Sequence, residues 1–350
     1  MRERELRVLD GFQRDFPLCS RPYAEIGERL GLPEAEVIVT LRQLQARGCV
    51  SRVGATIVPG RVGAATLATI AVADERLETV AELVNSYPEV NHNYEREHEF
   101  NLWFVITASR EARVQAVVRE IERRARCGKV LELPMVEAYH IDLGFSLEAG
   151  DAVGRRAAGP AASPIPPAPY PLAAPQRALL SVVQEGVPLT ARPYAEIGLR
   201  AGMSEEAVIA ALARLLRERV IGRFGVIVRH RELGYRANAM VVWDVPNAEA
   251  RTVGSSMAQA DFVTLCYRRL RYLPHWPYNL YCMMHGTSRD AVTARIGELT
   301  ERCGLERYPR AVLFSRRCFK QRGARYVDKV TDGRYRPEDR ESAAERVSHC

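Results

Sequence analysis

Two stretches of this 350-residue chain gather side chains that can move protons, grip anions or cover a flat apolar surface. The first runs Val90-Asn91-His92-Asn93-Tyr94-Glu95-Arg96-Glu97-His98-Glu99-Phe100-Asn101-Leu102-Trp103-Phe104. The second, residues 264–286, contains Cys266-Tyr267-Arg268-Arg269, then Trp276-Pro277-Tyr278-Asn279-Leu280-Tyr281, and closes on Met283-Met284-His285-Gly286. Imidazole ordinarily titrates near neutrality, so His92 and His285 are candidate proton donors. Arg96, Arg268, Arg269 and Arg271, with Arg316, Arg317, Lys320, Arg322 and Arg325 further on, supply cations for a carboxylate-rich ligand. Tyr94, Trp103, Tyr267, Trp276, Tyr278, Tyr281, Met283 and Met284 could line a cleft for something flat. The simpler expectation for Trp103 and Tyr281 is core packing, and for the arginines a solvated basic strand. His98 and His275 fall in hairpin loops and are expected to be exposed; His140 is expected to be structural.

Both stretches occupy equivalent places in an internal repeat. Arg21-Pro22-Tyr23-Ala24-Glu25-Ile26-Gly27 recurs as Arg192-Pro193-Tyr194-Ala195-Glu196-Ile197-Gly198. The register continues through Val37/Val208, Leu41/Leu212, Leu44/Leu215, Arg52/Arg223, Gly54/Gly225 and Gly63/Gly234. Duplication and fusion explain this. Tyr94 then matches Tyr267, Arg96 matches Arg269, and Asn101-Leu102-Trp103 matches Asn279-Leu280-Tyr281. His92 faces Leu265 and His285 faces Thr107, so each histidine is present in one copy only. The second hairpin is five residues longer.

The elements that must position these residues follow from periodicity. Leu6, Leu9 and Phe12 mark a helix; Tyr23, Ile26 and Leu30 mark a second, ended by Gly31. A third opens at Pro33 and carries Val37, Leu41 and Leu44 on one face. That is a helix-turn-helix, and the alternation from Val50 to Val58 reads as a wing strand. Leu67–Ala73 reads as a strand, Glu78–Ser86 as a helix, Val90–Arg96 and Leu102–Thr107 as strands, Arg110–Arg124 as a helix and Leu131–Ile141 as a strand. Ala237–Val245, Ala248–Ala260, Val263–Arg268, Asn279–His285, Arg289–Arg302 and Val312–Phe319 repeat that order, the βαββαβ of a ferredoxin-like unit. The fold class is therefore α+β: a tandem repeat of winged helix-turn-helix plus ferredoxin-like domain. The expected boundaries are 1–60 and 61–147 for the first copy, 148–175 for a Pro/Ala-rich linker, 176–231 and 232–327 for the second copy, and 328–350 for a polar tail.

Bulk composition narrows the function classes. No apolar run approaches the ~18 residues of a membrane span, and the N-terminus lacks the apolar core of a signal peptide, so a cytoplasmic placement is expected. The eight cysteines include no CxxC pair, which argues for reduced thiols and against a zinc or iron–sulfur framework. The net charge of +7 suits an anionic partner. DNA is disfavoured: the recognition helices open with Glu34 and Glu36, and with Glu205 and Glu206, which phosphates would repel. Their next turns are mostly Ala, Val and Ile, leaving Arg42, Gln43 and Arg47 as the best readers. The simpler role of the carboxylates is to complement the helix dipole.

In architecture both halves resemble the Lrp/AsnC family. In their hairpin strings they resemble the siroheme decarboxylases. The His92-Asn93-Tyr94-x-Arg96 and Asn101-Leu102-Trp103-Phe104 strings are similar to one subunit type. Cys266-Tyr267-Arg268-Arg269, Trp276-Pro277-Tyr278-Asn279-Leu280, Met283-x-His285-Gly286 and the run 314–326 are similar to the other. The fusion into one chain departs from the two-subunit pattern; fused versions belong to the route toward the nitrite-reductase haem. The resemblance implies loss of carbon dioxide from two acetate arms of siroheme, with the iron carried by the substrate and no external cofactor. Beside the catalytic His92 and His285, which divide proton donation and substrate positioning between them unless one ligates the iron, it implies a substrate site drawn from Tyr94, Arg96, Trp103, Tyr267, Arg268, Arg269, Trp276, Tyr278, Arg317, Lys320 and Arg322. It also implies a pseudo-dimer of the two copies with the cleft at or near their interface, and leaves higher homo-oligomers open. Two alternatives stand beside it: an Lrp/AsnC-type transcription regulator, and a haem- or siroheme-sensing module without catalysis.

Overall fold

The computed structural model describes residues 3–141, 144 and 168–328; most of the linker and nearly all of the tail lie outside that range. Each copy begins with three helices: α1 (Glu3–Gly11), α2 (Pro22–Leu30) and α3 (Glu34–Ala46) in the first, α6 (Ala174–Val183), α7 (Pro193–Ala201) and α8 (Glu205–Arg217) in the second. Between them lie β1 (Val50–Ile57), β2 (Ala64–Ile70), α4 (Leu77–Ser86), β3 (Val90–Arg96), β4 (Leu102–Ala108), α5 (Glu111–Ala125), β5 (Leu131–Leu133) and β6 (Met135–Ile141). The second copy continues with β7 (Ile221–Val228), β8 (Ala237–Trp243), α9 (Ala250–Met257), β9 (Val263–Arg269), β10 (Leu280–Gly286), α10 (Arg289–Cys303) and β11 (Arg310–Gln321).

Sequence periodicity explains the heads. Pro22 and Pro193 stand in the first turn of α2 and α7, where a missing N–H costs nothing, and Gly31 and Gly202 end them at φ near 69° and 68°. The heads are not independent. Tyr23 donates its hydroxyl to Pro188 O at 2.8 Å, and Tyr194 reciprocates to Pro17 O at 2.7 Å. One apolar core runs through both, with Tyr23, Ile26 and Leu41 beside Tyr194, Ile197 and Leu212. The strand after each head pairs with its counterpart rather than within its own head: β1 runs antiparallel to β7, with Gly54 opposite Gly225. The first head docks here too, through Val226 N–H to Phe12 O at 2.7 Å.

The remaining strands follow the order β5-β2-β4-β3-β11-β8-β10-β9-β6. The last strand of each copy serves both copies. Arg310–Phe314 pairs with β8 of its own copy, and Ser315–Gln321 pairs with β3 of the other. In the first copy Leu131–Leu133 pairs with β2, and Met135–Ile141 crosses to β9. The single strand expected over Leu131–Ile141 is thus two, separated at Pro134, which has no N–H for the ladder. Helices α4 and α5 cover one face of the first sheet, α9 and α10 one face of the second. The other faces meet in a shared core containing Leu67, Trp103, Met240, Tyr267, Trp276 and Tyr281.

Gly225 sits where a Cβ would lie 2.5 Å from both Phe12 O and Gln13 O. Backbone cannot yield as a side-chain tip does, so Gly225→Ala is expected to cost about 1–3 kcal/mol. Gly297→Ala in α10, with nothing near its Cβ position, should be neutral or stabilising by about 0.5 kcal/mol. Urea midpoints of the two variants check the contrast.

Candidate active site

Alternation along β3 and β9 decides which side chains face the shared core, because neighbouring strand residues point to opposite faces. Asn93 turns toward the helices, donating to Ala81 O at 3.2 Å and to Asn85 Oδ1 at 3.1 Å. His92, Tyr94 and Arg96 take the other face. The His92 and Tyr94 rings stack at 5.9 Å, with Nδ1 and Oη 3.3 Å apart. Arg96 lies over the Tyr94 ring at 5.6 Å and donates to Leu313 O of the second copy at 3.1 Å. It is only 6% exposed, and its Nε has no hydrogen-bond partner among the described residues. Arg269 mirrors it, bonding Leu133 O of the first copy and lying over the Tyr267 ring at 4.6 Å.

His285 ends the row in the second copy. Thr264 donates its hydroxyl to Met283 O at 3.0 Å, and its oxygen stands 3.1 Å from His285 Nδ1. That network assigns the proton to Nδ1 and leaves Nε2 as the basic nitrogen. His92, Tyr94 and Arg96 therefore form a row along one face of β3, and His285 of the second copy extends it, near enough for the Arg96 charge to act on its imidazole. Burial pulls both imidazoles down to about 4. The Arg52 guanidinium adds to this at His92, and the Arg96 guanidinium at His285. Both rings are thus neutral at neutral pH in the protein alone, well below the near-neutral values expected from sequence.

Comparison with known proteins follows the same duplication. Residues 5–50 and 176–221 match the siroheme decarboxylase NirDL-like HTH domain, and residues 61–140 and 232–320 match the AsnC-like ligand binding domain. The siroheme decarboxylase NirDL subunit of Paracoccus denitrificans is 42% identical over 324 residues, spanning 93% of this chain and 97% of that protein. The chain belongs to the siroheme decarboxylase family. The siroheme decarboxylase NirD subunit of Pseudomonas aeruginosa is 50% identical over 143 residues, which is 41% of this chain and 95% of that subunit. A crystal structure of the siroheme decarboxylase NirDL in complex with an iron-uroporphyrin III analogue matches with a TM-score of 0.65 at 28% identity, covering 93% of this chain and 94% of that one.

In this chain the sequence-derived residues divide into three groups. His92, Tyr94, Arg96, Tyr267, Arg269 and His285 share the inter-sheet side. Trp103 and Trp276 lie there too but are closed in core: their rings are 5.1 Å apart and they are 1% and 0% exposed. Trp276 donates to Tyr281 Oη at 2.6 Å and stands 5.0 Å from the half-buried Tyr278, so the longer second hairpin inserts a plug between the two hairpins. His98 is half-buried against Trp276 rather than simply exposed, with ring centroids 5.2 Å apart.

The third group does not join the row. Arg268, one residue before Arg269, points to the helix side and bonds Glu137 Oε2 at 2.9 Å. Glu137 also takes Arg251 and the Tyr139 hydroxyl, and these cations and the hydroxyl hold its carboxyl below the usual range against its burial. Arg317 pairs with Glu95 and Glu78. Lys320 donates to Asn85 O and to Tyr87 O, and burial pulls it down to about 8. Arg322 follows β11; its backbone N–H bonds Asn91 O at 2.9 Å, while its side-chain Nε has no hydrogen-bond partner among the described residues. The repeated asparagines are structural: Asn101 bonds Val72 N and O, and Asn279 bonds Val245 N and O in the same way. Sequence reasoning missed Thr264 and Arg52; for Arg52 a signal existed, since it recurs as Arg223 in the repeat.

Arg268→Gln should lower the urea stability by about 1 kcal/mol, discounted for partial exposure. It should leave kcat/KM within about twofold, whereas Arg96→Gln should lower kcat/KM by more than tenfold. Equal loss of kcat/KM in both variants would contradict the assigned faces.

Proposed function

We propose that this chain removes carbon dioxide from two acetate arms of siroheme, using His92 and His285 as proton-handling groups and Tyr94, Arg96, Tyr267 and Arg269 to hold the substrate. The observation that carries the proposal is the row His92–Tyr94–Arg96–His285 in a chain of this family, because it sets two imidazoles around a buried guanidinium that has no carboxylate partner among the described residues. A polycarboxylate supplies that partner. The net change at each arm is R–CH2–COO⁻ plus one proton to R–CH3 plus carbon dioxide. Protonating the macrocycle beside the acetate lets the electrons of the breaking C–C bond flow into the ring. A neutral imidazole becomes a donor once substrate carboxylates offset the neighbouring arginine charge and raise its pKa.

The fused arrangement supports a place on the route to heme d1. A cytoplasmic setting is supported by free thiols at seven described cysteines and by the lack, among the described residues, of a helix long and apolar enough to cross a membrane. We read the two copies as a pseudo-dimer, on the strength of the strands they exchange. DNA reading is disfavoured further because two of its three best readers are engaged: Arg47 pairs with Glu5, and Arg42 donates to Leu189 O.

Anaerobic incubation with siroheme should give a product lighter by two carbon dioxide units, and an unchanged mass would refute the reading. His92→Gln and His285→Gln should each lower kcat on the order of a hundredfold; near-normal turnover in both would remove the imidazoles from the mechanism. Stability gives a separate check. Both folded-state pKa values lie near 4, below the ordinary 6.5, so the unfolded chain binds more protons between them. The histidine contribution is present above about pH 6.5 and is lost as pH falls toward 4. The double Gln variant should show a shallower fall in urea midpoint over that window.

A further inference from the structure

Arg52 lies on β1, the strand that leaves the first helical head, some forty residues before His92 in sequence. Arg52 is half-buried, its Nε is sealed from solvent, and its Nη2 donates to Ala55 O at 3.2 Å. Nε has no hydrogen-bond partner, and no carboxylate among the described residues pairs with it. Other arginines near the row are differently placed: Arg317 has Glu95 and Glu78, and Arg268 has Glu137. Arg52 stands close enough to His92 for its charge to act on the imidazole. Glycines border it. A Cβ at Gly323, just after β11, would lie 2.3 Å from Arg52 Nη1, and one at Gly54 would lie 3.2 Å from Nε. Gly54 on β1 and Gly323, two residues past the Gln321 that pairs with His92, thus leave room for one guanidinium at the His92 end of β3.

A buried cation without a counter-charge is costly unless an anion reaches it. We infer that Arg52 is a substrate-positioning residue, binding one carboxylate arm of the macrocycle at the His92 end as Arg96 does toward His285. The inference rests on the decarboxylase reading. It gives the helical head a part in substrate binding: β1 is held by β7, so the head pair fixes where Arg52 points.

The test is an anaerobic absorption titration of the full chain with siroheme, beside melting curves and turnover. R52Q should weaken siroheme binding roughly ten- to hundredfold, as expected for a lost charge-assisted bond, and R52K should recover part of it. G323A should also weaken binding with little change in melting, because its Cβ meets only the mobile end of Arg52; it keeps the test open if R52Q folds poorly. R29Q, which removes an exposed charge paired with Glu25, is the control for net charge and should bind normally. A structural role alone would not move the histidine titration, but R52Q should raise the pKa of His92 read by NMR in the protein without siroheme. Normal siroheme binding by R52Q or G323A while the wild type binds and decarboxylates would overturn the inference and leave the decarboxylase reading intact. Failure of the wild type to bind siroheme would overturn both.

Discussion

The closing β segment of each copy, continuous in the second and split at Pro134 in the first, is hydrogen-bonded to both copies, and the site depends on that sharing. Phe314 pairs with Ala239 while Ser315, the next residue, pairs with Arg96. This crossing fixes the two inner sheet faces against each other in register. It also brings Leu313 O within reach of Arg96, and Leu133 O within reach of Arg269. A buried guanidinium needs acceptors, and a strand end turning from one sheet to the other supplies one without supplying a negative charge. The arginine is held, yet its charge stays available for a ligand.

The same economy shapes the rest of the inter-sheet region. Trp103, Trp276 and Tyr281 fill the middle with apolar surface, and the polar ends of the two tryptophans are satisfied locally by Phe100 O and Tyr281 Oη. Burial of this kind excludes water and raises the cost of charging an imidazole nearby. Low histidine pKa values and a firm aromatic core are therefore two consequences of one arrangement. The helical heads add to it. Their recognition helices keep the carboxylates that the repeat displays, but Arg21 and Arg192 from the same heads take them up, so the conspicuous charges of the DNA-binding architecture are spent within the protein.

Much of this was legible in the chain. The repeat of Arg21–Gly27 at Arg192–Gly198 announced two copies, glycines and prolines marked the helix ends, and hydrophobic period placed β3, β4, β9 and β10 within a residue or two. The hairpin strings singled out His92, Tyr94, Arg96 and His285. Other residues look alike in the sequence and part company in the fold for reasons that can be named. Arg268 and Arg269 look equivalent as letters, but consecutive strand residues face opposite ways, and only one reaches the inter-sheet side. Arg317 and Lys320 are as cationic as Arg96, but acids and carbonyls of the first copy already hold them.

The amino-acid sequence by itself determined the duplication, the order of helices and strands, and the residue types available for chemistry, because these depend on local dihedral preference and on apolar period. Tertiary structure alone decided which strand edges would meet, which cations would keep a carboxylate and which would not, and how far the imidazoles would be shifted. Those outcomes depend on burial and on contacts between residues far apart in the chain, as when Arg52 of β1 comes to rest against Gly323, just past the strand that pairs with His92.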